Sequence, residues 1–261
     1  MKAILRAAAK MFIFISAVMT YFVAAFTLYP SLKKNPMQAR KKIARLISAY
    51  ARFACWFMGI KVSLKGAERL KQGNNLIVSN HLSYTDILVI CSYFPACFVT
   101  SVEMRDTPFL GHICKLAGCV FVERRNKKNL GNEVKEITEA LKAGLDVVIF
   151  PEATSTNGEE VIRFRRPLFR SAIDSQIPVK PLTLNYRSLD NVEVSLRNRD
   201  EVFWYGDMTF VDHLWNFFKH GEIAVDLWVG EDLKVGDEID HGILAEQSHA
   251  KVKSHYRQVL A

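Results

Sequence analysis

Residues 11–32, MFIFISAVMTYFVAAFTLYPSL, are 22 side chains without a charge. Nothing else in the chain restricts its fold as strongly. As an α-helix the run extends about 33 Å at 1.5 Å per residue, enough to cross a hydrocarbon core of roughly 30 Å. Lys2, Arg6 and Lys10 precede it and Lys33 and Lys34 follow. Cations on both flanks leave no clear inside–outside asymmetry. A secretory leader would have a shorter apolar core and a small-residue cleavage site, and this segment shows neither. Pro30 is expected to interrupt the helix near its end, because proline has no N–H to donate.

The charge distribution points the same way. Residues 1–65 hold twelve Lys or Arg and no acid, Glu68 being the first. The other 23 basic and 27 acidic side chains leave the rest of the chain at −4. The net charge of +8 therefore belongs to the N-terminal segment, which is the part suited to an anionic surface. In residues 40–58, Lys41, Arg45, Ser48 and Arg52 fall on one helical face. Ile43, Leu46, Ile47, Tyr50, Phe53 and Phe57 fall on the other. A basic amphipathic helix beside a long apolar run suits a membrane interface. Residues 1–60 read as a membrane-anchoring helical hairpin with membrane lipids as partners, and residues 61–261 as a second unit. No nucleic-acid partner is expected.

From residue 61 the pattern changes. Short apolar, β-branched runs recur at 75–79, 97–102, 118–122, 146–150, 178–186 and 223–229. Helical periodicity lies between them, as in Asp86–Tyr93 and in Leu130, Val134, Ile137 and Leu141, which share a face before Gly144. A last amphipathic helix is expected over 243–260. Such alternation predicts an α/β fold, a mostly buried sheet flanked by helices. The five cysteines, Cys55, Cys91, Cys97, Cys114 and Cys119, have no C-x-x-C or zinc spacing. They read as small buried hydrophobes in a reducing compartment. No histidine cluster suggests a metal.

Polar residues that follow strands are where an open α/β sheet places its chemistry. After 75–79 comes NHLSYTD, with His81 and Asp86. After 118–122 come Arg124 and Arg125. After 146–150 comes FPEATSTNG, with Glu152 and Thr154. Taken singly, each has an ordinary reading: a polar turn, a solvated loop, a helix start with Glu152 at the positive end of the dipole and Thr154 or Ser155 as its cap.

The ordered set NHLSYTD, GCVFVERR, FPEATST and IPVKPL resembles the four sequence blocks of the glycerolipid acyltransferases, the 1-acylglycerol-3-phosphate acyltransferase family. The resemblance covers residues 60–190. It implies a monotopic membrane enzyme whose site faces the cytoplasm. That site would transfer a fatty acyl group from an acyl-CoA or acyl carrier protein thioester to a lysophospholipid hydroxyl, without a resident cofactor or metal. By the same resemblance His81 is the base, Asp86 orients it, and Arg124, Glu152 and Thr154 bind substrate. Histidine suits the first role because its ordinary pKa lies near neutrality.

The blocks also depart from the family pattern. Ala153 and Ser155 stand where glycine and arginine are usual, and Ser101 and Val102 where lysines are common. The missing cations raise the alternative of an acceptor with a phosphodiester headgroup, as in lysophosphatidylcholine-type remodelling. From another class comes a non-catalytic membrane lipid-binding protein, against which the intact His81 and Asp86 argue. A hydrolase would need a nucleophile motif such as G-x-S-x-G, which the chain lacks.

Overall fold

The computed structural model describes residues 1–70, 74–107, 110–123, 130–236 and 238–260. Its first 58 residues form a pair of long helices, α1 (Lys2–Lys34) and α2 (Pro36–Met58). Pro30 lies inside α1 rather than ending it. Proline's fixed φ is itself helical, so its cost near a helix end is one missing hydrogen bond and a local clash. Asn35 makes the turn, and its side chain accepts from the Gln38 N–H to cap α2. Gly59, at φ +83°, closes α2 in a left-handed conformation that suits glycine.

Among the described residues eight strands form one sheet: β1 (Ile60–Lys65), β2 (Leu76–Ser79), β3 (Ala96–Ser101), β4 (Val120–Val122), β5 (Asp146–Ile149), β6 (Val179–Leu189), β7 (Val192–Glu193) and β8 (Ile223–Val229). Their spatial order is β1-β8-β6-β2-β5-β3-β4, with β7 on β6. Pairing is parallel except for β6 with β7 and β8. The helices between and after the strands are α3 (Thr85–Tyr93), α4 (Val102–Asp106), α5 (Leu110–Leu116), α6 (Leu130–Lys142), α7 (Arg170–Ser175), α8 (Phe210–Phe218) and α9 (His241–His255). The predicted strands all form. The last helix stops at His255, five residues short of the expected end. Tyr256 there turns extended, and its hydroxyl donates to the Gly158 carbonyl.

Both faces of the sheet are covered, which is why its central strands read as continuous apolar runs. Ile77 and Val148 point into a core shared with α2, α3 and α8. Leu76, Val78, Val147 and Ile149 point into a second core with α6 and α9. The N-terminal helices are part of the first core: Ala7, Ala51, Cys55 and Met58 are buried in it.

The buried face of α2 matches the expected apolar face in Ile43 and Phe57 and departs from it elsewhere. Ser48, placed by the sequence pattern with the cations, is buried, while Phe53 and Trp56 are exposed. The inward face carries small residues, Ala39, Ala44, Ser48, Ala51 and Cys55, beside the larger Ile43, Phe57 and Met58, and the small side chains let α2 approach its neighbours closely. Along α1, Phe12, Ile15, Met19, Val23 and Phe26 form an exposed apolar stripe. The helix is long and apolar enough to cross a membrane.

Candidate active site

β2 ends at Ser79 and α3 begins at Thr85, leaving a tight connection that carries His81. Asn80 anchors it by copying a strand: its amide donates to the Leu184 carbonyl at 3.0 Å and accepts from the Leu184 N–H at 2.9 Å. Asp86 sits in the first turn of α3, where the exposed N–H groups of a helix start favour an anion. It has no solvent exposure. One carboxylate oxygen accepts from the N–H of Leu82 at 2.6 Å and of Ser83 at 2.9 Å, and lies 2.8 Å from His81 Nδ1. The other accepts from the Tyr186 hydroxyl at 2.7 Å, and that hydroxyl also meets Thr85 Oγ1 at 2.7 Å.

The loop therefore chooses the histidine's tautomer. A carboxylate 2.8 Å from Nδ1 keeps the proton on that nitrogen and leaves Nε2 as the free acceptor. The imidazole stacks on Phe150, ring centres 4.0 Å apart and 12° from parallel, so its plane is held from two sides. With 19 % of the side chain exposed, His81 forms part of the wall of an apolar cavity of about 340 Å³. Phe14, Val18 and Tyr21 of α1 and Tyr50 and Phe57 of α2 line that cavity with Tyr84 and Phe150. Its size falls in the range of small-molecule sites, roughly 300–1,000 Å³.

Glu152 joins the site from the turn that follows β5. Its carboxyl accepts from the His81 N–H at 2.8 Å and from the Ile162 N–H at 3.2 Å. Burial pushes its pKa up to about 8 against those two hydrogen bonds. The expected helix start here does not form. Residues 151–154 are turn and bend, and Ala153 takes a left-handed φ of +62°, which breaks a helical run. The segment instead folds back on the His81 loop, where the Thr156 N–H donates to the His81 carbonyl at 2.9 Å. Thr154 is exposed, and its hydroxyl donates to the Ser155 carbonyl at 3.2 Å.

Arg124 and its neighbour Arg125 lie outside the described residues. Ser101, where a cation was expected by resemblance, accepts from the Met104 N–H as the cap of α4. Of the other arginines near the third block, Arg163 and Arg165 are exposed, and Arg166 pairs with Glu246 at 2.6 Å.

Sequence reasoning missed Tyr186 and Phe150. The alternation of Leu182, Leu184 and Tyr186, all in the same core, was the available sign that Tyr186 faces α3. A register irregularity against β8 between Tyr186 and Ser188 follows directly, a device that re-aims side chains near sites.

The acyltransferase family model matches residues 61–185. The lyso-ornithine lipid O-acyltransferase of Rhizobium meliloti (strain 1021) is 32% identical over 187 residues, 69% of this chain, a match spanning 64% of that protein's length. That of Brucella abortus (strain 2308) is 30% identical over 218 residues, 80% of this chain and 81% of that protein. The 1-acyl-sn-glycerol-3-phosphate acyltransferase of Neisseria gonorrhoeae is 32% identical over 111 residues, 42% of this chain and 44% of that protein. Among solved structures, the 1-acyl-sn-glycerophosphate acyltransferase PlsC from Thermotoga maritima shares the fold, with a TM-score of 0.68 at 20% identity. That match covers 97% of this chain and 95% of the other.

Proposed function

The chain belongs to the acyltransferase family, and from this premise we propose that it moves a fatty acyl group from a thioester to the free hydroxyl of a lysolipid. The observation that carries the reading is the His81–Asp86 pair, 2.8 Å apart, at the wall of an apolar cavity. The acyl chain lies in the cavity, and the thioester carbonyl comes to rest beside His81. Nε2 takes the proton as the lipid oxygen attacks that carbonyl. Asp86 holds Nδ1–H and stabilises the imidazolium that forms. When the tetrahedral intermediate collapses, the thiolate leaves and receives the proton from Nε2. Acyl-CoA or acyl carrier protein supplies the thioester, and the reaction uses no resident cofactor.

The exposed apolar stripe of α1 and the exposed Phe53 and Trp56 of α2 sit in one leaflet, cations of residues 1–65 on its headgroups. The site then faces the cytoplasm, where acyl thioesters are held. Arg124 meets the acceptor's headgroup.

The four sequence blocks make 1-acylglycerol-3-phosphate the first acceptor to test. A second reading is favoured by a specific observation: Ser101, Val102 and Ser155 place no cation where a phosphomonoester would be held. An acceptor with an amino-acid headgroup, such as the lyso-ornithine lipid named for the Rhizobium and Brucella relatives, has no such need. Purified protein given one acyl thioester and a panel of lysolipids decides both points, with products identified by mass spectrometry. His81→Ala should lower turnover by on the order of 10²–10⁴-fold. Near-normal turnover in a folded His81→Ala variant overturns the mechanism, and no acylated lipid from any acceptor overturns the activity.

A further inference from the structure

The segment joining α5 to β4 is a Schellman turn. The Cys119 N–H donates to the Cys114 carbonyl at 3.1 Å, the Gly118 N–H donates to the Lys115 carbonyl at 3.2 Å, and Gly118 is left-handed at φ +67°. In this motif the third-last helical residue and the second residue beyond the helix bring their side chains together. Here both are cysteines, and their thiols interact with each other. Both are half-buried and both line the apolar cavity that reaches His81. Cys55, Cys91 and Cys97 are buried, and Cys97 donates its thiol hydrogen to the Gly118 carbonyl at 3.0 Å. Of the five cysteines, these two are the ones a small molecule in the cavity reaches.

We propose that Cys114 and Cys119 are a redox-active thiol pair that forms a reversible disulfide when a low-molecular-weight disulfide enters the cavity. Cys114 thiolate attacks one sulfur of the small disulfide. That S–S bond breaks, and one thiolate leaves and is protonated. The Cys119 sulfur, losing its proton, then attacks Cys114 and expels the second thiolate, which is protonated in turn. Two protein thiols are oxidised by two electrons, and one small disulfide becomes two thiols. Cys114 is the attacking member because the interaction with Cys119 holds its thiol below the usual cysteine range, while Cys119 is pushed well above it by the same interaction and by burial. A thiolate, not a thiol, is the nucleophile in such an exchange. The turn's two backbone hydrogen bonds already set the two side chains side by side, so closure asks for little backbone movement.

Lys115 lies between the cysteines, so trypsin places them on separate peptides, 106–115 and 116–124. The full chain in detergent is incubated with oxidised glutathione, alkylated, digested and read by mass spectrometry, before and after dithiothreitol. The expected result is a cross-link of these two peptides that dithiothreitol removes and that forms faster in the folded chain than in urea. Cys119→Ser should trap glutathione on Cys114, and Cys114→Ser should leave Cys119 largely unmodified. Either cysteine appearing linked to Cys91 or Cys97, or both remaining free, overturns the proposal. So does equal or faster linkage in urea. Circular dichroism on each variant separates loss of reactivity from loss of fold.

Discussion

Asp86→Asn removes a charge without changing shape, and the surrounding hydrogen bonds dictate what remains. The oxygen facing Leu82 N–H, Ser83 N–H and His81 Nδ1 is surrounded by donors. An amide NH₂ turned that way would oppose three of them, so asparagine must keep its oxygen there. Its NH₂ then faces the Tyr186 hydroxyl, which can accept from it while donating to Thr85 Oγ1. His81 keeps its tautomer and the loop keeps its caps. Only the charge opposite the developing imidazolium is lost. Two unit charges about 4 Å apart interact by roughly 4 kcal/mol at an effective dielectric of 20. A loss of about 2.7–4 kcal/mol lowers kcat on the order of 10²–10³-fold, with KM little changed. The assay is steady-state acyl transfer at several acceptor concentrations, beside thermal unfolding to confirm the fold. Turnover within threefold of the unmodified enzyme would refute the reasoning, and so would a loss well beyond about 10³-fold together with an unchanged melting curve. The first outcome would mean Asp86 does not stabilise charge, the second that asparagine had turned the histidine to the wrong tautomer.

Tyr186→Phe removes one donor to Asp86 and leaves a buried carboxylate oxygen unpaired. A hydrogen bond to a charged group contributes about 1.5–3 kcal/mol, so both a lower melting temperature and a kcat roughly tenfold down are expected, while unchanged values for both would show that Tyr186 does not position Asp86. Ala153→Gly relieves a left-handed alanine at φ +62°. It should raise stability by up to about 1 kcal/mol, read from chemical denaturation, and a destabilised variant would contradict the backbone account. Replacing Phe12, Met19 and Phe26 together by serine strips the exposed stripe of α1. The variant should bind vesicles of anionic lipid markedly less than the unmodified chain in flotation assays, and equal binding would remove α1 from the membrane.

Element types were legible in the sequence because strands and helices have different apolar periods, and the runs at 75–79 and 146–150 are buried on both faces. The long uncharged run likewise announced α1, since no soluble core hides Phe12 and Phe26 on one helix face. The pairing of His81 with Asp86 was legible only through the resemblance of the four ordered blocks; what realises it is local, a loop followed by the first turn of a helix bringing residues five apart together. What the sequence did not reveal depends on contacts between distant segments. Tyr186 lies 100 positions from Asp86, and parallel pairing of β6 with β2, the strand that leads into the His81 loop and α3, brings them together. Ser48 turned inward because α2 packs against both α1 and α3, a choice its own periodicity left open. Glu152 missed its helix because the His81 loop offered its segment another hydrogen-bond partner. The thiol pair needed both: the turn chemistry around Gly118 is local, but the cavity it faces is built by α1 and α2, and no stretch of sequence contains a cavity.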